Sequence, residues 1–391
     1  KNDGAVRPSR DGGASAWSDS MSARWYPGWE EEPPLGPEDP AGDDFPGGEG
    51  SADLPDLALM SQMSGRSLRR VIERVDMETL SQALREADRS IIDRVLKNLS
   101  ARTAAALRSQ LESLPFAGSE DTAEARKFLL RMISAMEKRG EISLDEPADD
   151  SMPPLDREVE RQVGEFNRTE SGAPEAISLM VALAERAREH GLLSLEPVLE
   201  RIPEGILAAG LRAIVDQMPP EEIEAVMGRR IDSYMQAFER RDEIASEGVL
   251  SLFEGLDGER TRQRLVAFLP EGEADYEELP EIKLTPSQQA ANDLIAACCR
   301  LAAWLHRDGI ESAEERIREI HDPLLRRGLK WLIDGYHIDE AERMLKRRRG
   351  TRTDREHRRL EILLEGLLLL RDGEEPDRIQ EALEGFLEEK A

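Results

Sequence analysis

Cysteine is almost missing from this chain of 391 residues: the only two, Cys298 and Cys299, are adjacent. Neighbours in a helix point to different faces and cannot close an ordinary disulfide, so a disulfide framework is excluded and a reducing compartment fits. Aromatic residues amount to only 4%, and long β-branched runs are missing, which leaves strands hard to place anywhere. The longest apolar run, "LLEGLLLL" from Leu363 to Leu370, is far shorter than the ~18–20 residues of a membrane helix, so no direct membrane insertion is expected. Basic charge is in deficit: 53 Lys and Arg face 81 Asp and Glu, for a net charge of −28. Such a surface repels nucleic acid and anionic lipid, and no nucleic-acid partner is expected. The five histidines, at 190, 306, 321, 337 and 357, show no metal-ligand spacing, and no phosphate-binding or nucleophile motif occurs. No cofactor, no metal and no enzymatic activity are expected.

What remains is Leu, Ala, Glu and Arg at helical spacing, the pattern of an all-α chain. At this length two to four domains are expected, at roughly 100–200 residues each. Residues 1–56 read as a disordered acidic tail, with nine Gly and seven Pro in the first fifty positions and too little apolar surface to offset chain entropy. Trp17, Trp25, Tyr26 and Trp29 fall within it and either anchor a partner groove or collapse loosely on themselves. A start at Lys1 with no apolar signal core is what a fragment with an unseen N-terminus would show, and a cytoplasmic location is expected for the chain as it stands.

Three helical blocks follow, at 57–146, 173–268 and 287–391, with linkers at 147–172 and 269–286. In the first, Leu68, Val71, Ile72 and Val75, then Ile91, Ile92, Val95 and Leu96, recur at three- and four-residue steps and predict several short helices. Ser100 is a good N-cap for the helix that follows, and the next helix opens near Ser119 and ends at Gly140. The second and third blocks share a unit: Leu183–Met227 aligns without a gap on Leu301–Leu345, with identities that include Gly191/Gly309, Ser194/Ser312, Glu196/Glu314, Gly210/Gly328 and Asp216/Asp334. The glycines supply the positive φ that ends a helix, and Ser194 or Ser312 can cap the next. Two related helical domains are the expected outcome.

The block "GRSLRRVIERVDMETLSQALREADRSIIDRVLKNLSARTAAALRSQLESL…EKRGEI" resembles the C-terminal domain of FliG, the rotor protein of the bacterial flagellar motor, over about eighty residues. The resemblance implies partner contacts through a charged helix; Arg85 and Arg102 match its two basic positions, while Ser109 and Gln110 stand where two acids are usual. The segment "LAERAREHGLLSLEPVLERIPEGILAAGLRAIVDQM" and, better, "HDPLLRRGLKWLIDGYHIDEAERML" resemble the cytoplasmic region of MotA, the stator subunit. That resemblance implies a charged pair flanking the glycine turn, here Arg188 and Glu196; the second copy keeps Glu314 and has His306 for the Arg. Ion-driven torque needs membrane helices and is not expected.

Beside each of these stands a plainer reading. Exposed helical charges such as Arg85, Arg102, Arg188, Glu196 and Glu314 are usually solvated, and exposed pairs contribute ~0–1 kcal/mol. The basic run Arg343–Arg359 reads first as a helix C-terminus followed by a mobile loop, then as a contact for an acidic protein surface. The expectation is a multi-domain all-α adaptor or scaffold with one FliG-like and two MotA-like domains, binding flagellar rotor or stator proteins or itself. The alternatives are a helical adaptor in an unrelated pathway and a nucleic-acid binder working through Arg343–Arg359.

Overall fold

The computed structural model describes residues 57–113, 119–168, 172–269, 286–310 and 317–388, and among these no strand occurs. The expected disordered tail with its aromatic cluster, and Ser312 and Glu314, lie outside the described residues.

In the first block a 3-10 turn at Leu57–Ser61 precedes α1 (Gly65–Arg74), α2 (Met77–Leu84), α3 (Arg89–Lys97), α4 (Ala101–Ser113) and α5 (Ser119–Lys138). Three of these starts are fixed by side-chain caps: Ser64 accepts from the Ser67 amide, Asp76 from Thr79 (2.8 Å) and Ser100 from Thr103 (3.1 Å). Each cap satisfies an amide that the first helical turn leaves without a partner. The apolar stripes meet in one core that includes Leu68, Ile72, Leu80, Leu84, Val95, Leu107, Leu129 and Ile133. The stretch expected to be a linker is partly built into this block. The Asp149 carbonyl accepts from the Gly65 amide (2.9 Å), and the Asp150 carboxylate accepts from Arg94 (3.1 Å), which is buried. Further along the same stretch Arg157–Phe166 forms helix α6. Val159, Val163 and Phe166, spaced at four and three, are its buried face, a short amphipathic signal that the neighbouring prolines and acids obscure.

The second part comprises α7 (Ala173–His190), a 3-10 turn at Leu192–Leu195, α8 (Glu196–Leu199), α9 (Ile206–Val215), α10 (Pro220–Phe253), α11 (Gly258–Val266), α12 (Pro286–Asp308), α13 (Pro323–Ile333), α14 (Ile338–Asp372) and α15 (Pro376–Glu388). The offset of the sequence repeat persists through all of it. Helix ends correspond at 118 residues for His190 with Asp308 and Val215 with Ile333, and to within one residue for Phe253 with Asp372. The packing is exchanged between the copies. Helix α7 lies against α14 and α15 of the second copy, α12 lies against α10 and α11 of the first, and the long helices α10 and α14 pack on one another. One core therefore joins Ile244, Val249 and Leu252 of α10 to Leu294, Cys298 and Trp304 of α12. Close approach depends on matching glycines. A Cβ at Gly210 would overlap Leu367 and one at Gly328 would overlap Val249, and these are equivalent positions in the two copies. Cys298 fills the space beside Gly248 as Met180 fills that beside Gly366. It packs as a small apolar residue, and burial pushes its thiol up from the ordinary range.

Two local expectations are corrected. The basic run Arg343–Arg359 is not a helix end followed by a mobile loop, because α14 runs unbroken from Ile338 to Asp372 through it. Two of its charges are matched across the helix pair: Arg352 lies 2.8 Å from Asp242 and Arg349 lies 2.8 Å from Glu243, both on α10. Ser194 does not cap α8. Its hydroxyl donates to the Gly191 carbonyl at 2.6 Å, closing the 3-10 turn in which it sits.

Candidate interaction surface

The C-terminal end of α7 leaves carbonyls without helical partners, and it carries the negative end of the helix dipole. Helix α1 supplies what that end needs. Arg69 Nε donates to the His190 carbonyl at 3.0 Å, and Arg70 donates to the Arg188 carbonyl. In return the Glu73 carboxylate accepts from the Leu192 amide at 2.6 Å, just beyond the turn. Gly191, at φ +83°, makes this approach sterically feasible, since a Cβ there would stand 2.8 Å from Glu73 Oε1. A second contact lies at the start of α4. Ser100 Oγ donates to Asp216 Oδ1 (2.6 Å), Thr103 Oγ1 donates to the Asp216 carbonyl (3.2 Å), and the Arg102 guanidinium lies 3.4 Å from Asp216 Oδ2. Asp216 closes α9. The first block is thus seated on the first copy of the repeat.

Burial sets the charges at this seam. It pulls the Arg69 and Arg70 guanidinium groups below their usual range and pushes the Glu73 carboxyl up to about 7, against the opposing pull of the Leu192 amide and of Arg70 and Arg69. His190 is lowered, first by burial and then by Arg186. Glu196 is raised, by burial first and then by the carboxylates of Asp216 and Glu200.

The residues singled out in the sequence divide accordingly. Arg102 reaches the seam, and its partner Asp216 belongs to the repeat. Arg188 contributes its carbonyl there, while its side chain pairs with Glu375 at 2.8 Å. Glu196 stands beside Asp216 on the acidic side. Arg85 ends α2, where its carbonyl accepts from Arg126 of α5. Arg69, Arg70 and Glu73 were not anticipated, because they address main-chain groups and leave no charge pattern to read. Asp216 had a trace, its identity with Asp334. Among the described residues no three His, Cys, Asp or Glu side chains are grouped as a metal ion would require.

The family model for the FliG C-terminal domain matches residues 56–144, the whole of the block that carries α1 to α5. This block matches the FliG C-terminal domain family. It is similar to the flagellar motor switch protein FliG of Borreliella burgdorferi, at 30% identity over 87 residues, and to that of Thermotoga maritima, at 32% over 81 residues. These matches cover 22% and 21% of this chain and 24% of each relative. Motility protein A of Borreliella burgdorferi is 34% identical over 71 residues, or 18% of this chain and 27% of that protein. The chain therefore spans about a quarter of the length of each of these relatives. No solved structure matches it. The seam is accordingly a contact between a FliG C-terminal domain and the helical repeat, and no helix among the described residues is long and apolar enough to cross a membrane.

Proposed function

We propose that this protein is a non-enzymatic, flagellar-motor-associated adaptor that carries rotor-like and stator-like surfaces on one chain and does not itself conduct ions. In this reading the two repeats are MotA-like helical domains at 173–268 and 287–391, and the partners are rotor or stator proteins at the cytoplasmic face of the motor. One observation carries it: the FliG domain is already docked on the repeat, through Arg69, Arg70 and Glu73 to the end of α7 and through Ser100 and Arg102 to Asp216. A chain that holds such a domain against a stator-type repeat has the complementarity that joining motor parts requires. The similarity of separate segments to FliG and to motility protein A supports the same reading. Co-purification from motile cells tests it, together with imaging of motors in a deletion strain. The reading expects flagellar switch or stator proteins to be retained and a density to be lost from the motor. Retention of neither, with motors unchanged, would overturn it.

A further inference from the structure

A cavity of about 860 Å³ lies between the long helices α10 and α14, away from the seam. Equivalent segments of both copies border it: Pro203 and Gly205 of the first, and His321 and Pro323 at the same places in the second. Its two helical walls are unlike. Helix α10 lends Tyr234 and Phe238, and at the same distance from the start of α14 stand Arg352 and Glu356. Along α14, Arg348, Arg352, Arg355 and Arg359 follow one another at steps of four, three and four residues, and all four line the cavity. That spacing makes one stripe of positive charge about 16 Å long. It is the part of the basic run that pairing with α10 leaves unexplained.

The lining holds six arginines against two carboxylates, Glu204 and Glu356, in a chain whose net charge is −28. Both carboxylates are already engaged. Glu204 lies 3.0 Å from Arg212, and Glu356 accepts from Arg359 and from the Tyr234 hydroxyl, each at 3.0 Å. Arg326 and Arg348 are exposed, and among the described residues no carboxylate pairs with either; Arg326 donates to the carbonyls of Ile320 and His321. Positive charge gathered on a concave wall of an acidic protein focuses the potential there and favours an anion. Rings accompany the charge. Tyr234 and Phe238 stack with centroids 6.3 Å apart, Arg352 lies 5.4 Å from the Phe238 centroid, and Arg359 lies 4.8 Å from that of Phe166. These contacts hold two guanidinium groups in place before any ligand arrives. The Tyr234 ring remains 39% exposed, a surface on which a flat ring can stack.

We propose that this cavity binds a nucleoside di- or triphosphate, with its phosphates on Arg326 and the stripe of α14 and its base against Tyr234. The volume lies within the roughly 300–1,000 Å³ of small-molecule sites, and the length of the stripe suits a chain of phosphates better than a single one. A polymeric nucleic acid would meet the repulsion of the surrounding acidic surface, which a mononucleotide inside the cavity does not. An acidic peptide would satisfy the arginines and leave the exposed ring unused. Such a site holds phosphate with arginine side chains and needs no glycine-rich loop, so it leaves no phosphate-binding motif in the sequence. A ligand there ties α10 of one copy to α14 of the other and stabilises the exchanged packing. The inference does not depend on the motor-associated reading.

The test is titration calorimetry of the full chain with ATP and with GTP, using pyrophosphate and adenosine as partial ligands. A nucleotide is expected to bind more tightly than either partial ligand and to raise the thermal melt as its concentration rises. Arg326→Ala and Arg348→Ala should each weaken nucleotide binding about tenfold or more. Arg343→Ala, an exposed position of α14 that does not line the cavity, should leave it unchanged. Tyr234→Ala should weaken nucleotide binding by about tenfold while pyrophosphate binds as before. All four positions are exposed, so the melts of the unliganded variants should match that of the parent. Photolabelling of the parent with 8-azido-ATP reads the placement without any variant and should mark the Tyr234–Phe238 segment. No binding of either nucleotide at millimolar concentration would overturn the proposal, as would equal losses at Arg343 and Arg348 or labelling confined to other segments. Tighter binding of a polyglutamate peptide or a single-stranded oligonucleotide than of either nucleotide would overturn the choice of ligand.

Discussion

Replacing Gly191 by Ala should disturb the seam in a way that its repeat counterpart, Gly309→Ala, cannot. Both glycines sit at positive φ, +83° and +80°, so each alanine incurs backbone strain of about 1–3 kcal/mol. Only at Gly191 does the new methyl collide with the interface, 2.8 Å from Glu73 Oε1 and 3.3 Å from Arg69 Cβ. Moving Glu73 aside breaks its hydrogen bond to the Leu192 amide, and a bond to a charged or strongly polar carboxyl of this kind contributes about 1.5–3 kcal/mol. The strain contributions largely cancel between the two variants, so Gly191→Ala should be less stable than Gly309→Ala by about 2 kcal/mol, on the order of 30-fold in an equilibrium constant. Urea denaturation of both variants measures that difference. Hydrogen exchange localises it: the Leu192 amide should lose protection in Gly191→Ala and keep it in Gly309→Ala. Equal stabilities, with the Leu192 amide equally protected in both, would refute the reasoning.

Two further outcomes follow from the same geometry. Glu73 is raised to about 7 in the folded chain from an ordinary value of 4.5. The stability it contributes is therefore fully present below about 4.5 and is lost as pH rises through about 7, so Glu73→Gln should flatten a stability–pH curve between those values. Gln217, at φ +58°, occupies the left-handed position that Gly335 fills in the second copy. Gln217→Gly should therefore stabilise the protein by about 0.5–1 kcal/mol in thermal or urea unfolding, the relief of strain exceeding the added freedom of the unfolded chain.

The helices were legible in the sequence because their apolar faces recur at three and four residues and their caps have local signatures, as at Ser100 and Gly140. The exchange of helices between the copies was not. The gapless alignment of Leu183–Met227 on Leu301–Leu345 reads the same whether α7 packs on α10 or on α14, since periodicity identifies a buried face and not its partner. Helix α6 was hidden for a different reason, a three-residue apolar stripe set among prolines and acids. The basic run Arg343–Arg359 misled because the acids that pair with two of its arginines, Asp242 and Glu243, lie about a hundred residues earlier in the chain. At the seam, resemblance pointed to Arg102, and the repeat marked Asp216. Arg69, Arg70 and Glu73 stayed invisible because their partners are main-chain groups, which every residue carries.

The seating of the FliG domain on the first repeat is tested most directly by a double-mutant cycle between Ser100→Ala and Asp216→Ala, read by urea denaturation. The two side chains are 2.6 Å apart across the seam and 116 residues apart in sequence. A docked domain predicts a coupling energy of about 1–3 kcal/mol between them. Strictly additive effects would contradict the docking.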